Sequence, residues 1–351
     1  MFLIFDTMKK YLLFSVIGFI VLSCQDPQES HNYSTVKLES VFQDSVSIRA
    51  IEFLDQQTLA FAGSKGMYGT VDVTSGKVRT NVMQYDTIVP QFRAVAHTTT
   101  DFFMLSIQSP ALLFKTGDNG KMELVYKEEG EGVFYDAMKF WNDKEGIAVG
   151  DTFEGCLSII ITRDGGYTWQ KISCNELPNE IDKEGAFAAS NTNIELIGNK
   201  VWIATTSGRV FYSDDKGHSW ISLETPIIKE KETQGMYSID FYNENLGFGI
   251  GGDFTAPNAN EANKILTEDG GKTWQLIANG MAPGYKCCAQ YIPNAGGNDL
   301  LAVGFTGIDY SNDGGSSWNT LSEEGFYTIR FLNDSVAYAA GRNRISKLTF
   351  K

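Results

Sequence analysis

The sequence predicts an all-β protein, a seven-bladed β-propeller, and three observations support this prediction. The motif Ser/Thr-x-Asp-x-Gly-x-Ser/Thr-Trp occurs four times. A strand pattern of alternating apolar and polar residues precedes each copy. Successive motif aspartates are about 44 to 54 residues apart, which is the length of a four-stranded propeller blade.

The four motif copies lie at residues 162–169, 213–220, 267–274 and 311–318. A degenerate copy at 116–120 lacks the tryptophan, and a weaker trace occurs at 70–72. The motif resembles the Asp-box of the bacterial neuraminidase repeat. Its carboxylate is suited to accept hydrogen bonds from turn N–H groups, its glycine permits a positive φ, and its tryptophan packs between sheets. We therefore expect structural roles, not catalytic or metal-binding ones, for Asp164, Trp169, Asp215, Trp220, Asp269, Trp274, Asp313 and Trp318.

Seven repeats can be counted from the strand patterns. They begin near Arg49, Arg93, Phe134, Ala186, Tyr237, Tyr285 and Phe326. The last repeat has sequence for only about three strands, so the strand at 36–46 should supply the fourth and close the ring. Residues 36–351 are therefore expected to form the propeller.

The N-terminus is typical of an exported lipoprotein. Two lysines and an apolar run precede Cys24, and the sequence at 21–24 resembles a bacterial lipobox. We expect a signal peptide at 1–23, with translation starting at Met8 because Asp6 is unusual in such a leader. Cys24 would carry acyl chains such as palmitate, and 24–35 would be a flexible tether. An ordinary signal peptide is the alternative. Both possibilities predict export to the bacterial cell envelope, on the periplasmic or surface side of a membrane.

Charge and histidine content narrow the choice of partners. The net charge of −14 disfavours nucleic acid and anionic lipid headgroups. His31, His97 and His218 are too scattered to predict a metal centre, and no cofactor motif occurs. We expect a monomer without a cofactor.

Four cysteines follow Cys24. If the turn of the first motif is centred near Gly165, Thr162 pairs with Thr168 and Cys156 lies opposite Cys174. An exported protein could oxidise this pair to a disulfide, and two free thiols are the alternative. Cys287 and Cys288 are expected to be buried and unbonded.

The combined repeat is similar to that of the photosystem II stability/assembly factor family. The shared pattern is Phe/Tyr-x-x-Ile-x-Phe, then a Gly/Ala-rich strand, then Thr-x-Asp-Gly-Gly-x-Thr-Trp. The resemblance implies a non-catalytic seven-bladed scaffold that holds a membrane or surface partner. It also implies an arginine-rich patch.

Three arginines on inner strands of adjoining blades are candidates for that patch: Arg49, Arg93 and Arg330. Together they would suit a carboxylate or an acidic partner segment. Tyr237 and Tyr327 would lie at the same channel. Alternatively, each arginine pairs with a local acid such as Glu52 or Asp136.

Other functions remain open. A sialidase-like glycoside hydrolase would need an arginine triad, a tyrosine nucleophile with a glutamate, and an acid/base aspartate. A propeller oxidoreductase is a more remote alternative. A glycan is an alternative to an envelope protein as the partner. The irregular insert at 252–264 could contact a partner.

Overall fold

The computed structural model describes residues 31–179, 181 and 183–351. The predicted signal peptide, the start at Met8 and the lipidation site at Cys24 lie outside these residues. Within the described ranges, no helix has the length and apolar character needed to cross a membrane. The described chain is almost entirely β-structure, which confirms the predicted all-β class.

Twenty-six strands and one 3-10 helix form the described part of the chain. In chain order they are β1 (Val36–Phe53), β2 (Thr58–Gly63), β3 (Met67–Asp72), β4 (Val78–Val82), β5 (Phe92–His97), β6 (Phe102–Ser106), β7 (Ala111–Thr116), β8 (Met122–Glu128), β9 (Tyr135–Phe140), β10 (Gly146–Phe153), β11 (Cys156–Thr162), β12 (Gln170–Lys171), the 3-10 helix (Cys174–Glu176), β13 (Ile194–Ile197), β14 (Lys200–Ala204), β15 (Arg209–Ser213), β16 (Ile221–Glu224), β17 (Gln234–Phe241), β18 (Gly247–Asp253), β19 (Lys264–Thr267), β20 (Gln275–Leu276), β21 (Cys288–Tyr291), β22 (Leu300–Gly304), β23 (Gly307–Ser311), β24 (Asn319–Ser322), β25 (Thr328–Phe331) and β26 (Val336–Phe350).

The strands form a β-propeller of six antiparallel sheets, so the predicted count of seven blades is wrong. Five sheets have four strands each, and the sixth has the order β25-β26-β1-β2-β3-β4. The miscount has a physical cause. The repeats expected as blades one and seven share the long strands β1 and β26 and are hydrogen-bonded into one sheet. This sheet supplies two of the strands around the axis, where β1, β5, β9, β13, β17, β21 and β25 contact one another in a closed cycle.

The N-terminal strand joins the two ends of the described chain. The first part of β1 pairs with β26, from Val36 opposite Phe350 to Ser47 opposite Arg342. The second part of β1 pairs with β2, beginning at Ile48. This pairing leaves no free sheet edge between the first and last repeats, which protects the ring from edge-to-edge association.

The last residues of the predicted tether are docked and do not behave as a free linker. The His31 backbone N–H and ring Nδ1 lie 2.7 and 2.8 Å from Asp299 Oδ2. The Tyr33 ring is buried and packs against Tyr310 and Phe350. The packed domain therefore begins before the expected boundary at residue 36.

Each of the four complete motifs forms a turn held by its aspartate. Asp164 accepts hydrogen bonds from the backbone N–H and the hydroxyl of Thr168, at 3.0 and 2.7 Å. The Thr162 hydroxyl donates to Asp164 and accepts from the Gly166 N–H. Equivalent bonds occur at Asp215, Asp269 and Asp313. Burial raises the pKa of Asp215, but hydrogen bonds from Ser219, Ser213 and the turn N–H groups outweigh it and lower the pKa to about 2.

The motif tryptophans pack at the junctions between neighbouring sheets. Trp169 lies edge-on to Phe140 of its own sheet and to Phe103 of β6 in the preceding sheet. Trp318 lies against Phe248 of β18, again in the preceding sheet. Trp274 packs edge-on to Phe241, and Trp220 joins the cluster that contains Ile161. These contacts bury apolar surface between sheets that share no hydrogen-bonded ladder.

Cys156 and Cys174 are joined by a disulfide, with their Cα atoms 5.4 Å apart. The predicted strand register is wrong by one residue, because Ile161 pairs with Gln170 and this pairing places Thr162 opposite Trp169. Cys174 lies in the 3-10 helix beyond β12 and not on a strand. Cys287 and Cys288 are both buried and unbonded.

Candidate functional site

The axis of the propeller is filled by a segment that the sequence analysis assigned to a strand. A repeat was expected to begin near Ala186, but its first strand, β13, starts at Ile194. Residues 186–193, here called the axial segment, have no regular strand structure. Their run of Ser, Asn, Thr and Asn is almost completely buried, which requires hydrogen-bond partners from the surrounding strands.

The axial segment finds most of these partners on or beside the surrounding strands, whereas the Asn193 side chain has none among the described residues. The Asn191 side chain donates to the Val95 carbonyl at 2.8 Å and accepts from the Met138 N–H at 3.0 Å. The Ser190 hydroxyl donates to the Cys287 carbonyl at 2.7 Å, and the Thr328 hydroxyl donates to the Ser190 carbonyl at 2.9 Å. The segment therefore divides the axis into two separate ends.

At one end lies a cavity of about 320 Å³, here called the axial pocket. Its base is the first half of the axial segment, and its wall combines two arginines, one buried carboxyl group and several aromatic rings. It is lined by Arg49, Arg93, Phe134, Asp136, Ala186, Phe187, Ala188, Ala189, Tyr237, Phe254, Tyr285, Phe305 and Tyr327. Four of the five predicted binding residues are thus brought together: Arg49, Arg93, Tyr237 and Tyr327.

The two arginines of the axial pocket point their guanidinium groups at backbone carbonyls and not at carboxylates. Arg93 donates to the Ala188 carbonyl at 2.9 Å, and Arg49 donates to the Ala189 carbonyl at 3.3 Å. Neither arginine has an ion-pair partner within 4.0 Å among the described residues. Burial and the neighbouring charge of Arg49 lower the pKa of Arg93 to about 10. Neither guanidinium of the pocket is therefore held in a direct ion pair.

Asp136 is fully buried in the same wall. Neither of its carboxylate oxygens has a hydrogen-bond partner of good geometry among the described residues. Burial raises the pKa of Asp136 well above its usual range, and the nearby Asp151 raises it further, while Arg93 partly offsets this. Asp151 accepts a hydrogen bond from the Ala186 N–H at 3.1 Å, and burial raises its pKa to about 6. A protonated Asp136 can act as a hydrogen-bond donor inside the pocket.

Aromatic side chains form the rest of the wall. Tyr237 stacks on Phe187 with ring centroids 3.6 Å apart, and its hydroxyl donates to the Thr233 carbonyl. The Arg49 guanidinium lies 3.9 Å above the Tyr327 ring. Phe254 and Phe305 stand at the rim, each 45% exposed. Phe254 comes from the insert at 252–264, so part of that insert does border the site.

Arg330, the fifth predicted binding residue, does not belong to the axial pocket. It lies three residues beyond Tyr327, about 10 Å along the strand. Its Nε donates to Glu52 at 3.2 Å, and its other nitrogens donate to the carbonyls of Ile329 and Asn191. It lines a different cavity, here called the far mouth, together with Glu52, Asp240 and Phe331. The ion pair with Glu52 is the alternative that the sequence analysis had left open.

Several pocket residues were missed as members of a site. Asp136 was considered only as a local partner for arginine, Phe134 only as the start of a repeat, and Phe254 only as part of the insert at 252–264. Phe187 and Phe305 were not singled out. Phe187, Phe254 and Phe305 lie outside the regular strands, so strand periodicity could not have identified them. Among the described residues, no cluster of His, Cys, Asp and Glu has the geometry of a metal site.

Comparison with known proteins gives the fold. No family model and no curated protein matches the sequence. Among solved structures, the chain is similar to YCF48 bound to D1 peptide, with a TM-score of 0.65 and 12% identity over 92% of this chain and 97% of that one. YCF48 from Cyanidioschyzon merolae gives 0.61 and 12%, over 89% and 98%.

A WD40 protein is about as similar in structure. The RRP9 WD40 repeats give a TM-score of 0.64 with 9% identity, over 90% of this chain and 97% of that one. Since YCF48 and a WD40 protein match almost equally well, similarity at this level establishes the β-propeller fold and nothing narrower.

Proposed function

We propose that this chain is a non-catalytic binding scaffold of the bacterial cell envelope, which holds a carboxylate-bearing segment of a partner protein in the axial pocket. The observation that carries the proposal is the pair Arg49 and Arg93. Both line a concave aromatic pocket, and neither forms an ion pair within 4.0 Å with a carboxylate of the described residues. Guanidinium groups in such a setting bind carboxylates through charge-assisted hydrogen bonds.

The electrostatic background favours this choice of ligand. The chain carries a net charge of −14, so the axial pocket is a local positive site on an acidic protein. Burial and the neighbouring Asp151 raise the pKa of Asp136, which weakens its repulsion of an incoming anion. The exposed rings of Phe254 and Phe305 add apolar surface for the residues next to the carboxylate.

The structural neighbour that contains D1 peptide supports a protein segment as the ligand. A protein segment as the ligand also agrees with the resemblance of the repeats to the photosystem II stability/assembly factor family. In this chain the photosynthetic role would be replaced by the holding or assembly of another membrane or surface partner. We further propose that the four motif turns are Asp-boxes with structural roles, and that Cys24 is lipidated and tethers the propeller to a membrane.

The axial pocket is a poor match for a sialidase-like site. Such a site needs three arginines around the substrate carboxylate, and the axial pocket is lined by two. Arg330, the third candidate, forms its ion pair with Glu52 at the far mouth. We therefore do not propose sialoside hydrolysis, and sialoside turnover by the wild type would contradict the binding role.

The test compares partner capture by the full-length lipidated protein and two double variants. Crosslinked envelopes would be solubilised in detergent and the captured proteins quantified by mass spectrometry. Arg49→Gln/Arg93→Gln should reduce capture of a stoichiometric partner at least tenfold. Arg163→Gln/Arg344→Gln removes the same charge from ion pairs outside the axial pocket and should leave capture unchanged. Equal capture by both variants, or turnover of a sialoside by the wild type, would refute the proposal.

A further inference from the structure

A second cavity lies between the first repeat and the second, far from the axis. Its volume is about 470 Å³, and its walls come from β3 and β4 on one side and from β6 to β8 on the other. We call it the interblade cleft. Its lining includes Tyr68, Thr70, Arg79, Phe102, Gly120 and Met122, and it shares no residue with the axial pocket.

The cleft lies where the degenerate motif replaces tryptophan by methionine. In the complete motifs, the pairing of Leu266 with Gln275 places Thr267 opposite Trp274, and the pairing of Tyr310 with Asn319 places Ser311 opposite Trp318. In the degenerate motif, Thr116 pairs directly with Met122. Its turn is one residue shorter, and Met122 therefore occupies the position of the tryptophan.

One position of the preceding sheet also carries a smaller side chain at this junction. A Cβ on the second glycine of a complete motif would touch Phe103 of β6 at Gly166 and Phe248 of β18 at Gly315. Phe103 and Phe248 each lie three residues before the point where the ladder with the inner strand shifts register. The same position in β2 is Ala60. Compared with these two junctions, the tryptophan is replaced by Met122 and the phenylalanine by Ala60.

A glycine of the degenerate motif lies beside the cleft. In two complete motifs the second glycine accepts from the tryptophan, with the Trp220 Nε1 donating to the Gly217 carbonyl at 3.1 Å and the Trp318 Nε1 donating to the Gly315 carbonyl at 2.9 Å. The glycine at the matching sequence position is Gly120, which lines the cleft and donates its own N–H to the Gly117 carbonyl. The cleft thus combines an apolar floor of Tyr68, Phe102 and Met122 with the exposed backbone of Gly120 at its edge.

We propose that the interblade cleft binds a tryptophan side chain presented by a partner protein. The occupant follows from the chain itself, since a tryptophan of the chain fills four junctions of the same ring, whereas the smaller Met122 stands in its place beside this cleft. Arg79 at the rim can lie over the face of the indole ring. The site is independent of the axial pocket and gives the scaffold a second point of contact with a partner.

The test uses N-acetyl-L-tryptophanamide as the probe, with binding measured by ligand-observed NMR. The wild type should bind it with a millimolar dissociation constant. Met122→Trp should fill the cleft, weaken probe binding at least tenfold and raise the melting temperature by about 2–4 °C. Ile221→Trp is the matched control, because Ile221 is exposed on β16 directly after a motif tryptophan. It should change neither quantity.

Two further variants show whether the probe occupies the interblade cleft. Tyr68→Leu removes one ring from the floor and should weaken the probe at least threefold even if Met122→Trp does not fold. Arg49→Gln/Arg93→Gln changes only the axial pocket and should leave probe binding unchanged. The interblade cleft proposal can therefore fail while the axial-pocket proposal holds, and the reverse. Probe binding that survives Met122→Trp, or maltose binding in the cleft in place of the indole, would overturn the inference.

Discussion

The two ends of the propeller axis are built from the same inner strands but hold their arginines in different ways. At the far mouth, Arg330 is paired with Glu52. At the axial pocket, Arg49 and Arg93 lie side by side and bond only to backbone carbonyls among the described residues. The axial segment separates the two ends.

The difference separates structural charges from those available to a ligand. A buried charge costs free energy unless it is paired, so the pairing at the far mouth is what folding alone would favour. Two adjacent arginines and a buried carboxyl group with a raised pKa do not improve folding, and such arrangements concentrate at functional sites. The comparison predicts that substitutions at the far mouth affect stability and that those at the axial pocket affect binding.

The largest expected effect on stability is that of Arg330→Met. The substitution leaves Glu52 without its partner and removes the donor to the Asn191 carbonyl of the axial segment. We expect the free energy of unfolding to fall by about 3–5 kcal/mol. Denaturant titration followed by tryptophan fluorescence would measure it.

Arg344→Met is the control for this variant. Arg344 is paired with Glu324 at the surface, where both side chains are partly exposed, and its loss should cost less than about 1 kcal/mol. Equal losses for Arg330→Met and Arg344→Met would contradict a structural role for the far mouth.

Asp151→Asn should alter how stability depends on pH. Burial raises the pKa of Asp151 to about 6, so the folded state binds its proton more tightly than the unfolded state does. In the wild type, Asp151 therefore contributes its full stabilisation below about pH 4. This contribution decreases as pH rises to about 6, and the free energy of unfolding falls by at most about 3 kcal/mol. The asparagine variant should lack this decrease in denaturant titrations at pH 4, 5, 6 and 7. An unchanged pH profile would contradict it.

Asp136→Asn tests the other carboxyl group whose pKa is raised. Burial raises the pKa of Asp136, so its contribution to stability also falls as pH rises. Asparagine cannot ionise, so the variant should gain stability relative to the wild type as pH rises from 4 to 8. The stability gain should vanish at pH 4. A loss of stability at pH 8 would show that the carboxylate is paired there.

Arg93→Met should have the smallest effect on folding. It removes one hydrogen bond to the Ala188 carbonyl, but it also removes the repulsion from Arg49 that contributes to the lowered pKa of Arg93. The two changes oppose each other, and we expect the free energy of unfolding to stay within about 1 kcal/mol of wild type. If Arg93→Met lowered the free energy of unfolding as much as Arg330→Met, the two ends would not differ in their contribution to stability.

Much of the local structure could be predicted from the sequence. The motif turns at Asp164 and its three counterparts depend on hydrogen bonds between residues two to four positions apart. The inner strands follow from alternation of apolar and polar residues, and closure followed from counting strands in the last repeat. The pocket residues Arg49, Arg93, Tyr237 and Tyr327 were found because they occupy matching positions in repeated strands.

The sequence by itself thus determined the all-β class, the turns and the strands around the axis, because these depend on short-range periodicity. Tertiary structure alone decided how many sheets form, since the pairing of Val36 with Phe350 joins the two ends of the domain. It also decided which arginine faces the pocket. Residues 186–193 leave the strand pattern and cross the axis. Arg330 contacts Asn191 from the far-mouth side of this segment, and this contact joins residues far apart in sequence.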